Sequence, residues 1–430
     1  MKYTPLSSDL FTINRRKFSS RMLPKSIAVF NSNDIYPISA DSTLPFQQHR
    51  DIYYLSGLDQ EESILLLFPD AKNIEDREMV FVKETSPLIA VWEGHKLTKK
   101  EATERTGVET VYWVTEFEQV LDRLIQEAST LYINKNEHLR AKIETQTRED
   151  RFIAYCQEKY PNHKIAHSNP ILHHIRAIKE PEEITTIQQA CNITEIGFRR
   201  ILEVIKPGIW EYEIEAELIY EFTKNKADGF AYTPIVASGN NANVLHYIEN
   251  NKQCKAGELI LMDVAAAYAR YSSDLTRVVP ISGTFSKRQK QIYNALLNVK
   301  NETTNLLRPG LTWKDYNCEV AKIMTSALID LKLIDQKDVD SAPKETPAFR
   351  KYFMHGNSHF LGLDTHDYGL QTEPMQTNMV LTVEPGIYIP KEKMGFRLED
   401  NVVIQEKGTP LNLMKNIPIQ ADEIEALMNS

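Results

Sequence analysis

Three histidines fall within twelve residues of the run MHGNSHFLGLDTHD (354–367): His355, His359 and His366. Imidazoles near neutral pH can ligate a metal or carry a proton. Two pairs of acids flank the run, Asp263 and Asp274 before it and Glu384 and Glu399 after it. Four carboxylates and one imidazole are enough to hold two metal ions. With no thiolate in the set, the donors favour a hard cation, Mn²⁺ first, with Co²⁺, Fe²⁺, Mg²⁺ or Zn²⁺ as alternatives. Two divalent ions roughly 3.5 to 4 Å apart can share a water, bring its pKa towards neutrality and polarise a carbonyl oxygen. Such a site hydrolyses an amide without a serine or cysteine nucleophile.

The acids need elements that bring them together. In ELILMDVAAAYARYSSDLTRVVPI (258–281), a hairpin folded around Tyr268 and Ala269 would set Asp263 directly opposite Asp274. In TVEPGIYIPKEKMGFRLEDNVVI (382–404), a turn near Lys391 and Glu392 would bring Glu384 opposite Glu399. Directly opposed residues share a face with Cβ atoms ~5 Å apart. Two carboxylates so placed repel and raise each other's pKa unless a cation lies between them. A single strand Asp reads more simply as a solvated or hydrogen-bonding residue, and a single His as a turn cap; only the five together point to metal.

Further back, residues 172–430 read as a duplication. A helical pattern runs into Lys206-Pro207-Gly208-Ile209 and another into Arg308-Pro309-Gly310-Leu311, each followed by an acidic helical segment and then by a strand pair with two acids. Two similar halves would place a site between them. Residues 1–165 alternate β-rich runs (26–30, 64–68, 79–82, 130–133) with helical ones (117–127, 138–151), which predicts an α/β domain. The polar segment Lys159–Ile171, broken by Pro161 and Pro170, reads as a linker. A helix is expected from Pro181, with acids beside its positive end.

At 430 residues the chain exceeds one ordinary core of ~150 residues. Its net charge of -9 argues against nucleic acid as an obligatory partner. Cys156, Cys191, Cys254 and Cys318 are widely spaced, which predicts reduced, mostly buried thiols rather than a zinc site or a disulfide framework. No run approaches the roughly 18 apolar residues of a membrane span, and the first residues have no apolar signal-like stretch, so a cytoplasmic location is expected.

NANVLHYIEN, MDVAAAYARYSSDLTRVVP, HGNSHFLGLDTHD, VEPGIYIP and GFRLED, in this order across residues 240–405, resemble the motifs of the pita-bread metallopeptidases, most closely aminopeptidase P. FQQHRDIYYLSGLDQEESILLLFP (46–69) looks like that family's creatinase/prolidase-type amino-terminal domain. The resemblance implies an α/β (α+β) chain: an amino-terminal domain that shapes the cleft and the oligomer, then a pita-bread catalytic domain with pseudo-twofold halves. It also implies that Asp263 binds one of two ions, that Asp274 and Glu399 bridge both, and that His359 and Glu384 complete the other.

By the same resemblance, His355 and His366 would flank the scissile bond, His246 would line the proline side, and Glu384 would double as a base. Arg397 would pair with a ligating carboxylate and Tyr388 would be a cleft residue. Asp51 aligns with an acid that holds substrate or active-site groups, and Trp92 with an aromatic sent into a neighbouring subunit of a homodimer or homotetramer. Ser358 matches the HGxSH form of aminopeptidase P rather than the HGxGH form of prolidase. Phe396, Leu398 and Asn401 depart from the common pattern, with packing effects expected.

The implied activity is Xaa-Pro aminopeptidase: release of the first residue from peptides with proline second. The competing readings are a prolidase limited to Xaa-Pro dipeptides and a non-catalytic or metal-free relative.

Overall fold

The structure, a computed structural model, describes residues 3–430, which form two compact units: residues 5–175, and residues 176–430 with Tyr3 and Thr4.

In the first unit, α1 (Ser8–Ser19) precedes β1 (Ser26–Asn31), the small hairpin β2 (Pro37–Ser39) and β3 (Ser42–Thr43), and α2 (Arg50–Ser56). Then come β4 (Ile64–Leu67), β5 (Glu78–Val82), α3 (Pro87–Glu93), α4 (Lys99–Thr106), β6 (Thr110–Trp113), α5 (Phe117–Ile125), β7 (Thr130–Ile133), α6 (Arg148–Lys159), β8 (Lys164–His167) and α7 (Asn169–Ala177), whose last two residues, Arg176 and Ala177, count with the second unit. Six strands make one mixed sheet in the order β6-β5-β4-β1-β7-β8. Its centre, SIAVFN and ILLL, is buried at every position, as a sheet covered on both faces requires.

Two sequence expectations fail here. The segment taken as a linker supplies the edge strand β8, which pairs in parallel with β7. The helix expected over 138–151 begins at Arg148 instead, where Thr147 and Asp150 form a reciprocal capping box that fixes its start.

The second unit repeats itself. Helix α8 (Pro181–Val204) leads through Gly208 into α9 (Glu211–Lys224). After β9 (Gly229–Phe230), strands β10 (Ile235–Ser238), β11 (Leu259–Asp263) and β14 (Thr276–Pro280) form a sheet, with β12 (Ala266–Tyr268) and β13 (Tyr271–Ser272) as a hairpin extension. The second copy has α10 (Lys287–Leu306), α11 (Trp313–Asp330) and the sheet β15 (Val380–Val383), β18 (Asp400–Val403), β19 (Leu411–Asn412). Its hairpin is β16 (Gly386–Ile389) with β17 (Met394–Arg397).

The likeness extends to single hydrogen bonds. Gly208 N–H donates to Cys254 O at 2.9 Å and Cys254 N–H to Ile209 O at 2.8 Å; Gly310 N–H donates to Met375 O at 2.8 Å and Met375 N–H to Leu311 O at 2.9 Å. Both glycines have positive φ, 95° and 83°, which a side chain would resist. Among the described residues, no helix is long and apolar enough to cross a membrane. Cys156, Cys191 and Cys254 are buried free thiols, and Cys318 is exposed.

Candidate metal centre

The first hairpin does not place its acids face to face. Asp263 pairs with Thr276, and the turn falls at Ala269 and Arg270, whose φ of 48° and 67° mark a type I′ turn. The pairing is therefore offset by two residues from the expected one, which leaves Asp274 diagonal to Asp263 rather than opposite it. In the second hairpin, Val383 pairs with Asp400 and Gly386 with Arg397. That constant register holds Glu384 opposite Glu399 across a short break in the ladder.

The two hairpins meet. One ligating atom each from Asp274, His359 and Glu399 lies within 4.8 Å of the others, and all three residues are buried. His359 Nε2 is 3.5 Å from Asp274 Oδ2 and 3.5 Å from Glu384 Oε1. Its Nδ1 pairs with the Phe360 carbonyl at 2.9 Å, which puts the proton on Nδ1 and leaves Nε2 as a donor atom for a metal. Asp263 closes the other end, bound to Arg397 Nη2 at 2.6 Å and to the Tyr232 hydroxyl at 2.5 Å.

The electrostatics fit a cation. Burial raises the Glu399 carboxyl well above its ordinary value, and the charges of Asp274, Glu384 and Asp263 add to the shift. Burial pushes Glu384 up to about 7, against the pull of His359 and Arg397. Asp263 is raised by burial too, with Arg397 offsetting part of it. Burial alone would lower the His359 imidazole, yet Asp274 and Glu384 raise it. Glu399 Oε1 is buried without a hydrogen-bond partner, a costly state that a cation would relieve. All-oxygen donors with one imidazole suit divalent ions.

The remaining predicted residues fall into three groups. His355 stands 3.6 Å from Glu384 through Nδ1, which also pairs with Gly356 O at 2.7 Å, while its Nε2 meets the Tyr388 hydroxyl at 2.9 Å. Burial, then the charge of Arg397, lowers its pKa to about 3, so it is neutral. Tyr388, expected in the cleft, is buried and links His355 to Arg397 Nη1 at 2.8 Å. His366 is exposed, its ring edge-on to His359 with centroids 4.5 Å apart. His246 is exposed after β10, close enough for its charge to act on His355.

Asp51 and Trp92 belong to the first unit. Asp51 is buried in the first turn of α2, accepting from Asn134 Nδ2 at 2.9 Å. Trp92 is 82 % exposed on α3, a helix with no buried residue.

Several supporting residues were missed. Thr276 donates through Oγ1 to Glu399 Oε2 at 2.7 Å and accepts from Arg397 Nε at 3.1 Å. Arg277, fully buried, pairs with Asp400 Oδ1 at 2.6 Å and donates to Glu399 O at 2.6 Å. Strand alternation puts Thr276 on the face of Asp274 and could have revealed it. Glu211, at the start of α9, accepts from Ser238 N, the Tyr247 hydroxyl and Lys252 N, and so braces the segment that carries His246. Neither Glu211 nor Tyr232 has a local signal, because each acts on residues far along the chain.

Residues 185–406 match metallopeptidase family M24, and residues 11–132 match the amino-terminal domain of aminopeptidase P. The chain belongs to metallopeptidase family M24. Its likeness within that family is to aminopeptidase P along the whole length. The Xaa-Pro aminopeptidase of Haemophilus influenzae is 33% identical, over 99% of this chain and 98% of the relative. The Escherichia coli Xaa-Pro aminopeptidase is 32% identical over 98% of each. The structure of E. coli aminopeptidase P with the inhibitor Pro-Leu has a TM-score of 0.88 at 31% identity, and a zinc-substituted form with product 0.89, each covering 99% of both chains. The second unit accordingly has the pita-bread fold.

Proposed function

We infer that this chain is an Xaa-Pro aminopeptidase, a metallo-exopeptidase that releases the first residue from peptides with proline second. The observation that carries the reading is the convergence of Asp263, Asp274, His359, Glu384 and Glu399 from the two repeats, with two further histidines beside them. Full-length similarity to Xaa-Pro aminopeptidases supports it.

We further propose that the five residues hold two divalent ions, Mn²⁺ by preference, with Asp274 and Glu399 shared. Bound ions would supply Lewis acidity and a more acidic water. Glu384, with a carboxyl near pH 7, is suited to take up and return a proton. His355, kept neutral with Nδ1 on Gly356 O and Nε2 on the Tyr388 hydroxyl, would hydrogen-bond substrate by exchanging one of these partners, and His366 would offer a proton to the leaving proline nitrogen, which has no N–H of its own. His246 would line the proline side. Arg397 fixes Asp263 and, through Tyr388, orients His355.

For the first domain we propose cleft shaping and assembly into a homodimer or homotetramer. Trp92, on an exposed apolar helix, would enter a neighbouring subunit's cleft, and Asp51 would brace substrate-facing groups. A cytoplasmic location is proposed on the acidic composition.

Activity on Xaa-Pro, Xaa-Pro-Yaa and Xaa-Ala-Yaa peptides, with and without Mn²⁺, tests the reading. Mn²⁺-dependent cleavage of Xaa-Pro-Yaa is expected. Cleavage of the dipeptide alone would make the chain a prolidase, and inertness with Mn²⁺ a non-catalytic relative. For Trp92→Ala, full activity in an intact oligomer would end the subunit-crossing role.

A further inference from the structure

We infer that Asp367 is a positioning residue: gripped by Arg176 and Lys179, it locks the 360–367 loop so that His366 stands edge-on against His359. The inference rests on the reading that His366 serves the substrate.

The loop closes on one carbonyl. Phe360 O accepts the Asp367 N–H at 3.0 Å and pairs with His359 Nδ1 at 2.9 Å, so the placement of the loop and the tautomer of the metal-facing imidazole share an acceptor. Within the loop, Gly362 N–H donates to Asp364 O at 3.1 Å, and Gly362 O accepts from Ser272 N–H at 2.8 Å.

His366 itself is exposed, its ring resting edge-on against His359. Its neighbour is the opposite: the Asp367 side chain is 2 % exposed between two buried cations. Arg176 Nη2 donates to Asp367 Oδ1, and also to Asp364 Oδ2 at 2.8 Å. Lys179 Nζ donates to Asp367 Oδ2 at 2.9 Å and to Arg176 O at 2.7 Å. The Tyr368 ring covers the Arg176 guanidinium at 4.3 Å. Burial pushes the Asp367 carboxyl up, but Arg176 and Lys179 more than offset it and hold it below its ordinary range.

Gly362 makes room for this grip, because a Cβ there would lie 2.1 Å from Asp367 Oδ2. A buried ion cluster is weak evidence for stability, since desolvation consumes most of its Coulombic gain. What it supplies is direction: a carboxylate held from two sides admits one loop geometry, one residue from the imidazole that needs it.

The test is a double-mutant cycle on the Mn²⁺-loaded full chain with an Xaa-Pro-Yaa substrate, measuring kcat, KM and metal content. Asp367→Asn keeps shape while weakening the grip. Gly362→Ala displaces the carboxylate without altering any charge, and carries the cycle if Asp367→Asn does not fold.

Each variant is expected to lower kcat by about ten- to a hundredfold, the range for a misplaced catalytic group, with KM and metal content retained. In a His366→Ala background neither should cost more. The same fold-loss in both backgrounds, or loss of metal, would overturn the inference. If His366→Ala alone leaves kcat unchanged, the substrate role of His366 falls instead. Crystal structures of the two variants then decide the positioning: a His366 ring displaced from His359 supports it, and an unmoved ring refutes it.

Discussion

Asn401 closes on Asp274 from both sides of the backbone. Its Oδ1 accepts the Asp274 N–H at 2.9 Å and its Nδ2 donates to the Asp274 carbonyl at 2.7 Å. The Cys191 thiol of α8 approaches the same Oδ1 at 3.5 Å. Asn401 sits in β18 of the second repeat, whereas Asp274 precedes β14 of the first. The two repeats are thus joined directly at a residue proposed to share both ions, and a position expected to affect packing alone sets the height of that proposed ligand.

Asn401→Ala should therefore weaken both the fold and the site. It strands a buried N–H and a buried C=O, at roughly 1 to 3 kcal/mol each, so urea unfolding should show a loss of about 2 to 6 kcal/mol. Metal affinity should fall about 10- to 100-fold, as for other groups that orient ligands. Unchanged stability and Mn²⁺ affinity would show that Asp274 is held by other means.

The four acids stood out in the sequence because each lies in or beside an apolar strand, where a carboxylate is out of place. Glu384 and Glu399 fell into the expected register because one turn, residues 390–393, joins their strands. Asp263 and Asp274 did not, because Ala269 and Arg270 both adopt positive φ, and nothing in YARY announces a type I′ turn as Asn-Gly would. The duplication could be read from two Pro-Gly signals. What stayed hidden was long-range: Tyr232 on Asp263, Glu211 under the His246 segment, Arg176 and Lys179 on Asp367. Those partners are chosen by tertiary packing, which local pattern does not encode. The edge strand β8 escaped for a related reason, since its KIAH sequence is only half-buried and lacks an apolar run.

Glu399→Gln should separate stability from metal binding. Burial and three neighbouring acids hold the Glu399 carboxyl well above its ordinary value, so its ionisation opposes folding when no cation is bound. Chelator-treated Glu399→Gln protein at pH 8 should be more stable than the parent in urea unfolding. The rise in Tm that Mn²⁺ gives the parent by mass action should be absent. A variant less stable than the parent in chelator would contradict the charge-repulsion account.

Metal uptake should release protons. Asp263, Glu384 and Glu399 all titrate above their ordinary values, and ligation requires the ionised forms. Affinity for Mn²⁺ should therefore fall as pH falls, and more steeply once pH drops below the Glu384 value of about 7. Calorimetry in two buffers of different ionisation enthalpy reads the release directly. Buffer-independent heats at pH 6 would mean that the carboxylates are already ionised before metal binds.

Away from the metal centre, Glu149 should give the first unit a pH-dependent stability. Its carboxyl is buried at the start of α6, where burial pushes it up to about 8 although Asn31 donates to both oxygens, from N at 3.0 Å and Nδ2 at 3.0 Å, and the charge of Asp51 adds to the rise. A carboxyl whose folded pKa lies above its unfolded value binds its proton more tightly in the native state. Its contribution is thus complete below about pH 4.3 and is lost as pH rises towards 8, with a slope of at most about 1.4 kcal/mol per pH unit. Hydrogen exchange of the β1 amides in the intact chain should report opening free energies that decline between pH 5 and 8 after correction for intrinsic rates. Glu149→Gln should flatten that decline, its amide oxygen still accepting from Asn31 N and its amide nitrogen facing an Asn31 side chain turned to present Oδ1. An undiminished slope in the variant would assign the pH dependence to another group.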